Sequence, residues 1–424
     1  MTPSTTAAAR TGGDERSQRR VGVAVVGLGG AVATTAVAGV ELLRIGATGL
    51  EGLPLGDLRS RVVDGVTAEE RAGLAPYESL VFGGWDLSSD SLAKAVGVHG
   101  VLDREQAEAV APVLEAMTPW PAAGNADFCR GVDGDNVVHA EGLRAQVEHV
   151  RGDLRRFREH EGLDGVVVVN LASTERWPDP AAPALATPEG FEAGLDADDP
   201  AIGPAMVYAY AAIREGAPYV NFTPSLAADV PALVELARRE GVPVAGKDGK
   251  TGQTMLKTVL APMFRSRALR VDGWYSTNIL GNRDGQALDD PASLASKLGT
   301  KGSVLDSILG YPVEDHVVRI DYYRPRGDQK EAWDNIDVSG FLGQRMQVKV
   351  DFLCRDSILA APLVLELARL ADLARERGEG GVMEQLGYFF KAPMTADPAA
   401  VPEHALHEQE RVLLDWLLGE DRTA

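Results

Sequence analysis

The sequence predicts an α/β fold in which a parallel sheet is followed by a second, β-rich unit. Three features point to it. Apolar β-branched runs alternate with helical segments up to residue 245, alternating strands take over after Arg270, and helical periodicity returns from Ser357.

Val21 to Val26 is an apolar run ending in glycines, and helix-period residues follow to Arg44, giving strand, turn and helix. Strand-like runs at Leu80 to Phe82, Gly165 to Leu171, Tyr219 to Phe222 and Val242 to Ala245 repeat the pattern. Helical segments such as Leu143 to Phe157 and Ala227 to Arg239 separate them, and such alternation argues for a parallel sheet. Proline- and acid-rich Trp177 to Pro204 reads as an exposed loop. Beyond Arg270, the runs Val271 to Thr277, His316 to Tyr323 and Met346 to Leu353 alternate apolar with polar, as half-buried antiparallel strands do. Ser357 to Arg377 and Glu408 to Leu418 return to helix and are expected to pack back on the first unit. The expected division is a disordered tail over 1–20, a first domain over 21–245, a second over 246–360 and a returning segment over 361–424.

At 424 residues and 45% hydrophobic content the chain has ample material for two or three domains. A net charge of −20 disfavours nucleic acid or an anionic membrane as partner, although a locally basic pocket would still accept a small anion. The most apolar window, Val21 to Leu43, is broken by five glycines and Thr34-Thr35, so no membrane span is expected. Cys129 and Cys354 have neither disulfide-framework nor metal spacing, and reduced cytoplasm is the simplest compartment.

Lysine usage is the most informative compositional feature. Eight of nine lysines fall between 247 and 391, whereas arginine is used 33 times across the chain. Arginine stays charged, but a lysine amine changes its pKa when desolvated and can act as acid, base or phosphate ligand. Lysine in this stretch therefore looks selected for chemistry.

Gly27-Leu28-Gly29-Gly30-Ala31-Val32 lies directly after the first strand and opens a helix, where glycines let a backbone approach a pyrophosphate. Val32 stands at the third glycine position, and a tight turn without ligand fits the same residues. Asp86, ending the next strand, suits either a ribose hydroxyl or a helix cap. In Gly246 to Lys257, Lys250, Thr254 and Lys257 fall at i, i+4 and i+7, one polar stripe at a helix start that would hold an oxyanion or simply face solvent. Ser276 to Gly285 leaves a strand into a loop dense in donors, suited to sugar hydroxyls, a phosphate or ordinary turns. Lys297 and Lys301 recur at i, i+4, and Lys391 follows Tyr388, Phe389 and Phe390, against which an amine would lose hydration. Lys247, Lys330 and Lys349 are read as ion-pair or surface residues.

Together these segments resemble the myo-inositol-1-phosphate synthase family, from about Val21 to Met394. The resemblance is carried by the Gly27 turn, Gly84-Trp85-Asp86, Ala172-Ser173-Thr174-Glu175, Lys250-Thr251-Gly252-Gln253-Thr254, Asn278 to Gly285, and Cys354 to Pro362. It implies a Rossmann-like NAD-binding domain with an inserted α+β catalytic and tetramerisation domain, and a cytoplasmic homotetramer of inositol and phospholipid biosynthesis. The implied reaction converts glucose 6-phosphate to 1D-myo-inositol 3-phosphate without net redox: oxidation at carbon 5, enolisation at carbon 6, aldol closure on carbon 1 and reduction.

By position, the resemblance puts the catalytic lysines at Lys250, Lys257, Lys301 and Lys391. Lys250 would shuttle the carbon 5 hydroxyl proton, Lys301 and Lys391 would stabilise the enolate and aldehyde oxygens, and Lys257 with Ser276 and Asn278 would bind phosphate. Leu280, Gly281, Asn282 and Lys297 complete the expected substrate site. NAD is placed on Gly27, Leu28, Gly29, Gly30, Ala31, Val32, Asp86, Ala172, Ser173 and Thr174, with Asp248 nearby. Asp284 and Asp328 could hold a hard cation, monovalent or divalent, or pair with arginines. The chain departs from the family where Ala31, Val32 and Ala33 replace two asparagines and a glycine of many members, and where Met255 replaces a lysine common in eukaryotic ones. Three rival functions share some of these features: the same chemistry on another sugar phosphate such as fructose 6-phosphate, an ordinary dehydrogenase, and a silent nucleotide sensor. Four amines exceed what simple hydride transfer needs, and a silent sensor would have lost them.

Overall fold

A fully buried six-residue strand, β1 (Val21–Val26), sets the centre of the molecule. The computed structural model describes residues 19–125, 127–129, 134–281 and 303–419. After β1 come α1 (Ala31–Arg44), a small hairpin of β2 (Val62–Val63) and β3 (Val66–Thr67), and α2 (Ala68–Ala72). Then follow β4 (Leu80–Asp86), α3 (Leu92–His99), α4 (Arg104–Ala116), β5 (Trp120–Pro121), α5 (Gly142–Glu161) and β6 (Gly165–Asn170). α6 (Pro188–Asp196) and α7 (Pro204–Arg214) lead to β7 (Tyr219–Asn221), α8 (Pro231–Glu240) and β8 (Pro243–Gly246). The chain continues through α9 (Gly252–Ser266), β9 (Arg270–Leu280), α10 (Ser303–Leu309), β10 (Asp315–Tyr322), β11 (Gln329–Ser339) and β12 (Arg345–Arg355). It closes with α11 (Asp356–Glu376), β13 (Gly381–Val382) and α12 (Leu406–Leu418).

The larger sheet has the order β13-β8-β7-β6-β1-β4-β5, and its pairings are parallel. Strand order reverses at β1, so the doubly wound, Rossmann-like arrangement leaves a crevice at the carboxyl ends of β1, β4 and β6. One face packs on α1 and α11, the other on α5, α7 and α8, through two separate apolar cores. α11 owes its central place to composition: Leu367, Ala368, Leu370 and Ala374 are buried all round it, and its buried Arg369 is paired with Glu366 and Glu69. Among the described residues no helix is long and apolar enough to cross a membrane.

The second sheet, β10-β9-β11-β12, corrects the expectation of purely antiparallel strands. β9 and β10 run parallel, from Gly273 opposite Asp315 to Leu280 opposite Tyr322. β11, which the sequence reading missed, lies antiparallel between β9 and β12. Alternation reports a half-buried face and says nothing about strand direction. The inner face of this sheet packs Trp274, Ile336 and Val338 against Phe264 of α9 and Leu305 of α10.

A second correction concerns Trp177 to Pro204, expected as an exposed loop. It contains α6, with Phe191 and Leu195 buried and Phe191 stacked on Tyr210 at 5.4 Å. Its prolines start helices rather than break them: Pro188 follows Thr187, whose hydroxyl accepts from Gly190 N at 3.0 Å, and Pro204 opens α7 after Gly203, without a side-chain cap.

β1 and β4 approach so closely at Gly84 (φ 149°) that a Cβ there would lie 2.0 Å from the Val25 carbonyl oxygen. Gly84→Ala is therefore expected to lose at least ~3 kcal/mol of stability, since backbone on both sides has nowhere to move. A urea unfolding midpoint within 0.5 M of the parent, a shift worth roughly 1 kcal/mol, would contradict this close approach.

Candidate active site

The glycine turn after β1 is held from both sides. Gly27 (φ 88°) and Leu28 donate their amides to the Trp85 carbonyl at 2.8 and 3.0 Å. Gly29 N donates to Asp86 Oδ2 at 2.9 Å, and His99 Nε2 donates to the Gly29 carbonyl at 2.8 Å. Gly30 begins α1 with no side-chain cap, so the first-turn amides of Ala31, Val32 and Ala33 have no intrahelical acceptor. These residues face a cavity of about 480 Å³ at the carboxyl ends of β1, β4 and β6.

That cavity gathers most of the residues expected to hold NAD. Gly27, Gly29, Gly30, Ala31, Val32, Asp86, Ala172, Ser173, Thr174 and Asp248 all line it. Leu28 does not; it is a core residue, 1% exposed. Two oxygens in the wall, Thr174 Oγ1 and Asp248 Oδ2, are buried without a hydrogen-bond partner. Unmet polar atoms beside a helix start that lacks a cap fit a ligand carrying a pyrophosphate, hydroxyls and an amide, as NAD does. Burial lifts the pKa of Glu175, in the same wall, to about 8.

Lys391 reaches this cavity because two segments pair. Residues 389–394 run antiparallel to 246–250: Lys391 N donates to Asp248 O at 2.7 Å, Lys250 N to Phe389 O at 2.8 Å and Met394 N to Gly246 O at 2.7 Å. The Lys391 ammonium then lies 2.7 Å from Asp248 Oδ1, and both side chains are buried. The start of α11 forms another wall, with Ser357 Oγ donating to Asp328 Oδ1 at 2.6 Å and Thr251 Oγ1 to Asp356 Oδ1 at 2.9 Å. Lys330 binds Asp356 at 3.3 Å, the ion pair expected of it, yet also lines the cavity.

A small adjoining cavity shares Thr251, Lys330 and Lys391 and is bounded by Gln253, Thr254, Asn278, Leu280 and Ile320. Behind it lies the fully buried Asp334, which accepts from Trp274 Nε1 and Ser276 Oγ at 2.7 Å and from Gln253 Nε2 at 3.3 Å. Gln253 Oε1 in turn accepts from Asn278 Nδ2 at 2.7 Å. Lys257 lies 2.7 Å from His316 Nε2, and burial pushes its pKa down to about 8 against the opposing charge of Asp334. Gly281 packs against the backbone of Gly327 and Tyr323.

Lys250 departs from its expected place. α9 begins at Gly252, after Asp248 and Gly252 both turn through positive φ, so Lys250 precedes the helix and shares no stripe with Thr254 and Lys257. Its amine does not line the cavity; it donates to Gln409 Oε1 on α12, 5.8 Å from the Tyr388 ring. Burial lowers its pKa to about 7. Asn282, Asp284, Lys297 and Lys301 lie outside the described residues. Asp328 Oδ2 is buried and unpartnered, and burial raises the pKa of its carboxyl. Among the described residues no three His, Cys, Asp or Glu side chains cluster as metal ligands do.

The sequence reading gave no site role to His99, Asp334, Gln409, Asp356 or Ser357, although the last two lie in the Cys354 to Pro362 motif. Only the last two carried a usable signal, since Arg355-Asp356-Ser357 leaves an alternating strand and starts a helix.

Because folding depresses the Lys250 pKa from 10.5 to about 7, the unfolded chain binds more protons between those values and stability should rise with pH across that window. Lys250→Met should therefore gain most over the parent at pH 6, and the two should converge above pH ~10.5. Equal stability differences at pH 6 and pH 10 in urea unfolding would show that the amine is not held neutral.

Comparison with known proteins gives a consistent picture. Residues 60–417 match the model of an NAD-binding family described as myo-inositol-1-phosphate synthase. Inositol-3-phosphate synthase 1 of Bacteroides thetaiotaomicron is 42% identical over 407 residues, covering 94% of this chain and 95% of its own. Inositol-3-phosphate synthase isozyme 1 of Arabidopsis thaliana is 33% identical over 438 residues, covering 94% and 85%. The crystal structure of inositol-3-phosphate synthase from Caenorhabditis elegans aligns with a TM-score of 0.85 at 29% identity, covering 95% of this chain and 86% of that one. With a match of this length joined to the doubly wound sheet, the glycine turn and the buried lysines, the chain belongs to the myo-inositol-1-phosphate synthase family.

Proposed function

We propose that the protein converts glucose 6-phosphate to 1D-myo-inositol 3-phosphate by NAD-dependent, redox-neutral cyclisation. The observation that supports this most directly is the buried Asp248–Lys391 pair, set where the large cavity meets the small one and beside the unpartnered Thr174 and Asp248 oxygens. Full-length relatives named inositol-3-phosphate synthases favour this substrate over fructose 6-phosphate.

NAD, when bound along Gly27 to Val32, Asp86 and Ala172 to Thr174, supplies reversible hydride exchange at carbon 5, so none is consumed. Lys391 donates to the oxyanion that develops during enolisation and closure, and its pairing with Asp248 keeps it charged in a dry site. The free oxygen of Asp248 accepts a substrate hydroxyl. Lys250 titrates near neutrality, which suits it to take the carbon 5 hydroxyl proton and return it; it must first turn from Gln409. Lys257, Ser276 and Asn278 are assigned to the phosphate, with Leu280, Gly281, Asn282 and Lys297 completing the substrate set and Lys301 as a further oxyanion donor; Asn278 lines the small cavity, while Ser276 Oγ is turned to Asp334 and Lys257 Nζ to His316. Asp328 would contribute one ligand if a cation binds.

Residues 21–245 with 361–424 act as the NAD-binding unit and 246–360 as the catalytic and assembly unit, α11 running across the second boundary. Assembly is a cytoplasmic homotetramer built on the outer face of the second sheet. Val317, Trp333 and Leu353 lie 39%, 38% and 55% exposed on that face. It serves inositol and phospholipid synthesis.

Purified protein with catalytic NAD should turn glucose 6-phosphate, and not fructose 6-phosphate, into one new phosphomonoester by phosphorus NMR, with no rise at 340 nm. NADH accumulating in step with product would overturn the redox-neutral cycle. Lys391→Ala should lower kcat/KM about 10³-fold, the loss of ~4 kcal/mol of oxyanion stabilisation. Trp333→Glu with Leu353→Lys should shift the sedimentation coefficient to that of a smaller species; an unchanged tetramer would move the interface elsewhere.

A further inference from the structure

Lys250 is 4% exposed, and its side-chain nitrogen makes its hydrogen bond to a neutral group, Gln409 Oε1. The titratable groups around it come from three places. Tyr388 offers its ring from the 3-10 turn Glu384–Phe389, at 5.8 Å. His404, 6% exposed, comes from the segment before α12, where the Glu403 carboxylate is turned onto the backbone amides of His404 and Ala405 at 2.7 and 2.6 Å. Glu410, next to Gln409, acts on Tyr388. The Lys250 charge in turn depresses the pKa of His404, after burial the largest cause. Gln409 is itself fixed, because Nε2 donates to the Glu403 carbonyl at 2.6 Å, which leaves Oε1 as the atom aimed at the lysine. A flip would set Gln409 Oε1 against the Glu403 carbonyl, two acceptors facing each other.

We infer that Gln409, carried on the C-terminal helix, is the positioning residue for Lys250: it receives the buried amine away from the cavity lining and sets the protonation state from which Lys250 enters the reaction. This rests on the proposed proton-shuttling role of Lys250, and extends it by assigning control of that role to α12. A neutral acceptor is the informative choice. A carboxylate at the same place would lock the amine as ammonium, whereas an amide satisfies one N–H and leaves the burial penalty uncompensated. Lys391 has the opposite arrangement, a carboxylate partner at 2.7 Å.

The test is competitive acetylation with peptide mass spectrometry across pH 5–11, which reads the titration of individual amines in the intact, NAD-loaded protein. In the parent, Lys250 should titrate near 7. Gln409→Glu should move it up by at least one unit, and Gln409→Met, which keeps the length but offers no acceptor oxygen, should move it down, with Lys391 unchanged in both. If neither variant moves Lys250 while both retain the parent's NAD affinity, Gln409 is a packing residue and the inference is wrong. The kcat/KM pH profile separates the two ideas: a Lys250 titration that moves while the acidic limb stays fixed would retain the positioning and remove the shuttle role.

Discussion

The pairing of residues 246–250 with 389–394 is the constraint on which the rest of the site depends. It joins the end of the parallel sheet to a segment that lies about 140 residues later in the chain, and it delivers two lysines with different surroundings. Within this ladder Asp248 and Lys391 meet with their charges buried. Such a pair is costly to desolvate and much costlier to break, because removing one partner strands the other in a poor dielectric. The fold therefore fixes the ammonium at the cavity wall instead of allowing it to extend into solvent.

Around that ladder, neutral and charged partners distribute reactivity. Lys391 is matched to a carboxylate, Lys257 to an imidazole with Asp334 nearby, and Lys250 to an amide. Arginine does the structural work elsewhere, as in the buried Arg369 that bridges Glu366 and Glu69. An always-charged guanidinium suits a permanent bridge, and an amine whose pKa follows its burial suits proton transfer. The Asp334 network adds a further layer: one buried carboxylate orients Ser276 directly and Asn278 through Gln253, so the small cavity is shaped by a residue that does not line it.

Much of the cofactor half was legible in the sequence because its determinants are local. A strand ending in glycines and opening a helix fixed the turn at Gly27, and the strand-end Asp86 proved to be the acceptor that pins Gly29. The loop reading of Trp177 to Pro204 failed because proline was taken only as a helix breaker, although at the first helical position its missing N–H costs nothing. The Lys250, Thr254 and Lys257 stripe failed because periodicity counts residues and cannot see that the chain turns through positive φ at Asp248 and Gly252 before the helix starts.

Most of the element types, the glycine turn, the concentration of lysine and, through its motifs, the family are legible in the sequence alone. These follow from local periodicity, turn chemistry and composition, which need no knowledge of distant contacts. Only the tertiary structure decided which lysine faces the cavity, which partner each amine receives and that the C-terminal helix reaches Lys250. Those outcomes depend on desolvation and on hydrogen bonds spanning 143 and 159 residues, quantities that no local window of sequence contains.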